Sequence, residues 1–159
     1  MTSKSDKRGD KHSRRRLARL NAVQAFYQMG LEQKSPHEVV SEFETHRLGA
    51  EIDGVQFKDT DKTFFRDLVI GASERQGEID AAISAVLDKD RKLERLELVL
   101  QALLRVSTYE LMARIDFPAK VVIAEYVGLA RSFFGGNEPS FVNGVLDRLA
   151  RDMRSAEFE

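Results

Sequence analysis

Eight basic residues crowd the first nineteen positions: Lys4, Lys7, Arg8, Lys11, Arg14, Arg15, Arg16 and Arg19, against only Asp6 and Asp10. The chemistry open to such a cluster is polyanion binding. Guanidinium groups fork onto phosphate oxygens and offer flat faces to unstacked bases. Arg15, Arg16 and Arg19 fall within about one helical turn, where like charges repel each other unless a polyanion is present. The net charge of -1 conceals an asymmetry, because residues 1–19 carry +6 and the other 140 carry -7. A basic arm on an acidic body points to nucleic acid. Taken on charge alone, a solvated tail that merely aids solubility fits as well.

Other site chemistry finds little support. With no cysteine there is no disulfide, thiolate metal site or cysteine nucleophile. His12, His37 and His46 do not share a spacing that would hold a metal or build a catalytic pair. His12 belongs with the basic arm, and the other two are expected at the surface. Neither a phosphate-binding loop nor a dinucleotide fingerprint occurs, and Gly135-Gly136 is better explained as a helix stop. The expectation is a protein that is not an enzyme, with no catalytic residues, cofactor or metal. Hydrophobic residues make up 42%, yet no run reaches the roughly 18 residues of a membrane span. The polar, basic start does not resemble a secretory signal, so the expected compartment is the cytoplasm and no membrane partner is expected.

The elements that must position the arginines read as helices throughout. Residues 1–13 lack apolar periodicity and are expected to be a flexible basic tail. Ser13 is a candidate cap for a first helix over about Arg14–Leu31, with Leu17, Leu20, Val23, Phe26 and Tyr27 on its apolar arc. Asn21, Gln24 and Gln28 align with Arg14 as a polar stripe. Ser35-Pro36 starts a second helix to about His46, and residues 47–61 read as a loop. Apolar steps of three and four resume at Lys62 and reach Leu87, with a break expected near Gly71 or Gly77. Leu96–Met112 is apolar on most sides, including Leu103, and belongs at the centre of the bundle. Its polar line is Glu97, Gln101, Arg105 and Thr108. Pro118 opens a helix that Gly135-Gly136 ends, and Asn137 caps the last one. Almost no strand is expected. The predicted fold is an all-α compact bundle of about seven helices, with a helical domain over 14–154 and a short tail at 155–159.

Two stretches of this chain resemble the NusB family. The first is Arg15-Arg16-Leu17-Ala18-Arg19 with Ala22-Val23-Gln24-Ala25-Phe26-Tyr27. The second runs through Leu104-Arg105, Tyr109-Glu110-Leu111, Asp116-Phe117-Pro118, Val121-Val122-Ile123 and Glu125 to Phe141-Val142-Asn143-Gly144-Val145-Leu146-Asp147. The closing block is the most specific, and the blocks occur in family order from about Arg14 to Leu149. The resemblance implies two small three-helix halves and a transcription antitermination factor. It also implies binding of single-stranded boxA RNA together with NusE, a small-subunit ribosomal protein, on the transcription elongation complex during ribosomal RNA synthesis. By position it places Lys11, Arg14, Arg15, Arg16 and Arg19 in the basic RNA contact region, Tyr27 and Phe141 at aromatic positions near RNA, and Asn137 in a loop close to RNA and partner.

Tyr27 and Phe141 could equally be core aromatics, whereas Asn143 and Gly144 are expected to be structural, the asparagine satisfying buried backbone groups and the glycine allowing close helix contact. Two positions depart from the family pattern. Ala124 precedes Glu125 where asparagine is frequent, and Leu100 stands where a polar, partner-facing residue is expected, unless it is core. Two other readings compete: a helical protein-interaction module with an incidental basic tail, and the accessory NusB-like domain of an RNA-modifying enzyme.

Overall fold

In a computed structural model, the described residues are 4–47, 51–52, 55–56 and 60–159, with side chains described for 11–47 and 60–159. Among the described residues there are seven α-helices: α1 (Lys4–Glu32), α2 (Pro36–His46), α3 (Lys62–Glu74), α4 (Gln76–Val86), α5 (Leu98–Ala113), α6 (Ala119–Phe133) and α7 (Glu138–Met153). The all-α expectation holds. Within the expected loop, β1 (Glu51–Ile52) and β2 (Val55–Gln56) form a two-residue antiparallel ladder, Glu51 opposite Gln56. The chain divides into two compact units, Met1–Ile70 and Gly71–Glu159.

Local chemistry sets most boundaries. Ser35 is extended and its hydroxyl accepts the Glu38 N–H at 3.2 Å, with Pro36 in the first turn of α2. The start of α1 differs from expectation. It lies at Lys4 rather than Arg14, so residues 4–13 are helical and Ser13 is interior. That stretch holds no proline and a single glycine, and its lysines and arginines are good helix formers, so nothing local stops the helix. The helix closes at Glu32 with Gln33 in the left-handed region (φ 56°). The break in the long apolar pattern falls at Arg75, between the two glycines suspected of it. Gly71 lies inside α3 for a packing reason, since a Cβ there would overlap the phenol of Tyr109.

In the first unit, Ala18, Ala22, Val23, Ala25 and Phe26 of α1 are buried together with Val39, Val40 and Phe43 of α2. Phe43 stacks on Phe65 of α3 with centroids 5.6 Å apart. The three alanines let neighbouring backbone approach α1 closely. Asp61 ties the start of α3 to α1: its side chain accepts the Phe64 N–H at 3.1 Å, and its own N–H donates to the Arg14 carbonyl at 3.1 Å.

In the second unit, α5 packs against α4, α6 and α7 and is buried almost continuously from Leu100 to Leu111. Leu103 has no exposure, and Leu100 is only 5% exposed, which settles it as core. The polar line of α5 is also turned inward beyond Glu97, which is exposed. Gln101 and Thr108 are buried, and Arg105 donates to both oxygens of Asp80 on α4 at 2.8 and 3.2 Å.

Arg154, just past α7, is 6% exposed. Its guanidinium donates to the carbonyls of Leu111 (2.9 Å), Glu110 (3.2 Å), Arg114 (2.8 Å) and Phe117. The last turn of a helix leaves carbonyls without intrahelical partners and carries partial negative charge, so a buried cation is well placed there. The expected short tail is instead a 3-10 turn, Ser155–Phe158. Within it, Glu157 accepts the Ala119 N–H at the start of α6 at 2.8 Å and faces Arg154 at 3.3 Å. One cation and one anion thus clamp the turn between α5 and α6 from both ends.

The Ala119 N–H, followed by Arg154, holds the Glu157 carboxyl below its ordinary range. A depressed carboxylate stabilises the fold above its unfolded pKa, and that contribution is lost as pH falls through the folded value. The clamp is therefore complete at neutral pH, and its contribution is lost as pH falls below the ordinary glutamate range. Glu157→Gln is expected to melt lower than the parent at pH 7, with the gap closing as pH falls below that range. Thermal melts across that range check this; a gap independent of pH would contradict it.

Candidate nucleic-acid interface

The sequence-predicted residues fall in both units, six on α1 and two at the start of α7. On α1 the side chains of Lys11, Arg14 and Arg16 are exposed, and those of Arg15 and Tyr27 are half-buried. The backbone beneath them is fixed, since the Arg14 carbonyl receives the Asp61 N–H and α1 is packed into the unit from Ala18 onward. The result is a set of cations displayed on a braced helix.

Arg19 departs from the predicted set. It is 1% exposed and sits with its guanidinium 5.2 Å from the centroid of the Phe64 ring. A side chain enclosed in this way is a packing element, because its stem and planar head both fill space beside an aromatic ring. Its spacing from Arg15 and Arg16 suggested a shared surface, but by position 19 that face of α1 has entered the packed interior beside Phe64.

The polar stripe of α1 is likewise structural. Asn21 is fully buried and donates to the Leu17 carbonyl at 2.8 Å and to the Thr60 hydroxyl at 3.4 Å. Gln24 accepts from Arg47 at 3.3 Å, and Gln28 donates to Glu42 of α2 at 3.4 Å. Side chains that looked like a solvent-facing continuation of the arginines form the polar seam along which α1 meets its neighbours.

In the second unit, Asn137 is exposed at the N-cap of α7, but its side chain makes no capping hydrogen bond. Gly136 before it takes φ 65°, the left-handed geometry expected after a helix stop. Phe141, one turn on, is half-buried, and the guanidinium of Arg91 lies 4.3 Å from its ring centroid. Asn143 is exposed rather than satisfying buried backbone. It lines a cleft of about 600 Å³ with Arg131, Gly136 and Ser140. A Cβ at Gly144 would meet nothing within 4 Å, so close helix contact does not explain that glycine.

Arg91 was not legible as a site residue. It stands in the mixed-charge run Asp88-Lys89-Asp90-Arg91-Lys92, which has no periodicity. Only the fold brings it against α7. His12, His37 and His46 are exposed, and no group of three histidine or carboxylate residues among the described residues could hold a metal ion.

Comparison with known proteins places this arrangement. The NusB family model matches residues 16–151. The chain belongs to the NusB family. The transcription antitermination protein NusB of Maricaulis maris is 46% identical over 144 residues, 91% of this chain and 90% of the relative. Among solved structures, T. maritima NusB is 30% identical with a TM-score of 0.72, covering 90% of this chain and 95% of that one. A chain in a crystal structure of the antitermination factors NusB and NusE with dsRNA is 24% identical. Its TM-score is 0.72 over 86% of this chain and 96% of its own, a likeness of fold. The NusB family match includes Arg16, Arg19, Tyr27, Asn137 and Phe141, whereas Lys11, Arg14 and Arg15 precede it.

The burial difference predicts a split in stability among the arginines. Arg19→Ala is expected to cost about 1–3 kcal/mol, as befits loss of a buried packing residue. Arg14→Ala and Arg16→Ala should stay within about 0.5 kcal/mol of the parent, as surface substitutions do. Denaturant titration of the three single variants decides this. Equal losses at positions 16 and 19 would contradict the assignment of Arg19 to the interior.

Proposed function

We propose that this chain is an RNA-binding assembly factor for transcription antitermination, acting in the cytoplasm without catalysis. The observation that carries the reading is the exposed set Lys11, Arg14 and Arg16 on a braced α1, in a chain of the NusB family. Its ligand is single-stranded boxA RNA, held through phosphates by these cations and through bases by Tyr27, Asn137 and Phe141. Its partner is NusE, and the pair joins the elongation complex during ribosomal RNA synthesis.

Physical chemistry supports the need for a partner. Apart from its first nineteen residues the chain carries -7, which repels RNA, and phosphate contacts alone confer little sequence discrimination. A second protein that adds contacts along the same strand raises their effective concentration and tightens the whole assembly. The accessory-domain reading is disfavoured, because relatives named as antitermination proteins are matched over about nine-tenths of their own length. No helix among the described residues is long and apolar enough to cross a membrane.

Fluorescence anisotropy with boxA RNA and a scrambled control, with and without NusE, tests the proposal. The chain alone should bind weakly, and with a salt slope of roughly -2 if the three exposed cations meet phosphates. NusE should tighten boxA binding far more than scrambled binding. Equal affinity and equal discrimination with and without NusE would overturn the partner dependence. No binding to either RNA under any condition would overturn the function.

A further inference from the structure

The charged loop between α4 and α5 holds an arginine that neither the family match nor the sequence pattern singles out. Arg91 is exposed, yet it is not adrift. Its N–H closes a turn onto the Asp88 carbonyl at 2.9 Å, and its guanidinium lies 4.3 Å from the centroid of the half-buried Phe141 ring. The nearby Asp88 is engaged elsewhere, by Arg148 at 3.8 Å, whose guanidinium also donates to the Val86 carbonyl at 2.9 Å. Among the described residues Arg91 has no carboxylate partner.

These features distinguish it from an ordinary surface arginine. Most surface arginines are mobile or paired with an acid, so holding an anion requires ordering a long chain or displacing a carboxylate. Here the ring restrains the cation beforehand, and its charge is not spent on an acid. Its stacking partner, Phe141, lies one helical turn from Asn137, which puts the three side chains along one end of α7 and the loop beside it.

We propose that Arg91 is an RNA-binding residue: with its head held on Phe141, it grips a backbone phosphate of the single-stranded RNA whose neighbouring base packs against the exposed part of that ring. This rests on the RNA-binding reading above and extends it to a loop outside the basic arm. An aromatic-backed guanidinium pairs the two contacts that single-strand binding uses, charge for the backbone and a flat apolar surface for a base.

The test is anisotropy with boxA RNA and NusE across a salt series, using the parent, Arg91→Ala, Arg91→Lys, Phe141→Leu and the Arg91→Ala/Phe141→Leu double variant, with Arg16→Ala as reference. Matching thermal melts of the parent and the Arg91 variants verify folding. Arg91→Ala should weaken binding roughly three- to ten-fold and flatten the salt slope by about 0.7, the loss of one single-strand phosphate contact. Arg91→Lys should keep the slope while recovering only part of the affinity, because an ammonium lacks the planar fork. The double variant should lose less than the product of the single losses, as residues sharing one contact do. Parent-like affinity and slope in Arg91→Ala, alongside weakened binding in Arg16→Ala, would overturn this inference and leave the RNA function standing. Failure of the parent itself to bind would overturn both.

Discussion

Burial of one side of α1 is the constraint on which the rest of the first unit depends. Ala18, Ala22, Val23 and Ala25 are fully buried there and Phe26 is 5% exposed. Polar groups trapped along the same seam must be satisfied, and Asn21, Gln24 and Gln28 find partners on Thr60, Arg47 and Glu42. This fixes the rotation of the helix about its axis. Position along α1 then separates the cations: Lys11, Arg14 and Arg16 lie toward its amino-terminal end and are exposed, whereas Arg19 lies within the packed stretch that begins at Ala18 and is 1% exposed.

The second unit follows the same logic with different parts. A buried Arg154 would be costly if left unpaired, but the open carbonyls at the end of α5 are equally in need of donors. Joining the two meets both needs, and Glu157 extends the clamp to the first turn of α6. The far end of α7, the helix that presents Asn137 and Phe141, is thereby tied to α5 and α6.

The sequence made the helices legible because apolar residues recur at steps of three and four, and because Ser35-Pro36 and Gly135-Gly136 mark boundaries with familiar chemistry. It was less informative wherever polarity was taken for exposure. The stripe Asn21–Gln24–Gln28 and the line Gln101–Arg105–Thr108 both look solvent-facing in one dimension, yet the first is a seam with partners on Thr60, Arg47 and Glu42, and the second is turned inward with Arg105 paired to Asp80. Arg19 misled for the same reason: its neighbours in sequence are surface cations, whereas its neighbour in space is Phe64. The start of α1 was missed because a charged segment without apolar periodicity gives no packing signal, even when its residues favour helix. Arg91 could not be found at all, since only tertiary structure sets a loop cation on an aromatic ring of α7.

The central claim is that the exposed cations of α1, not its buried arginine or its polar seam, meet the RNA. The most direct measurement is an amide chemical-shift titration of isotopically labelled protein with boxA RNA. The account predicts the largest changes around Lys11 and Arg14 to Arg16, with the amides of α5 from Leu103 to Leu111 essentially still. Changes concentrated elsewhere, with residues 11–16 unmoved at saturating RNA, would contradict it.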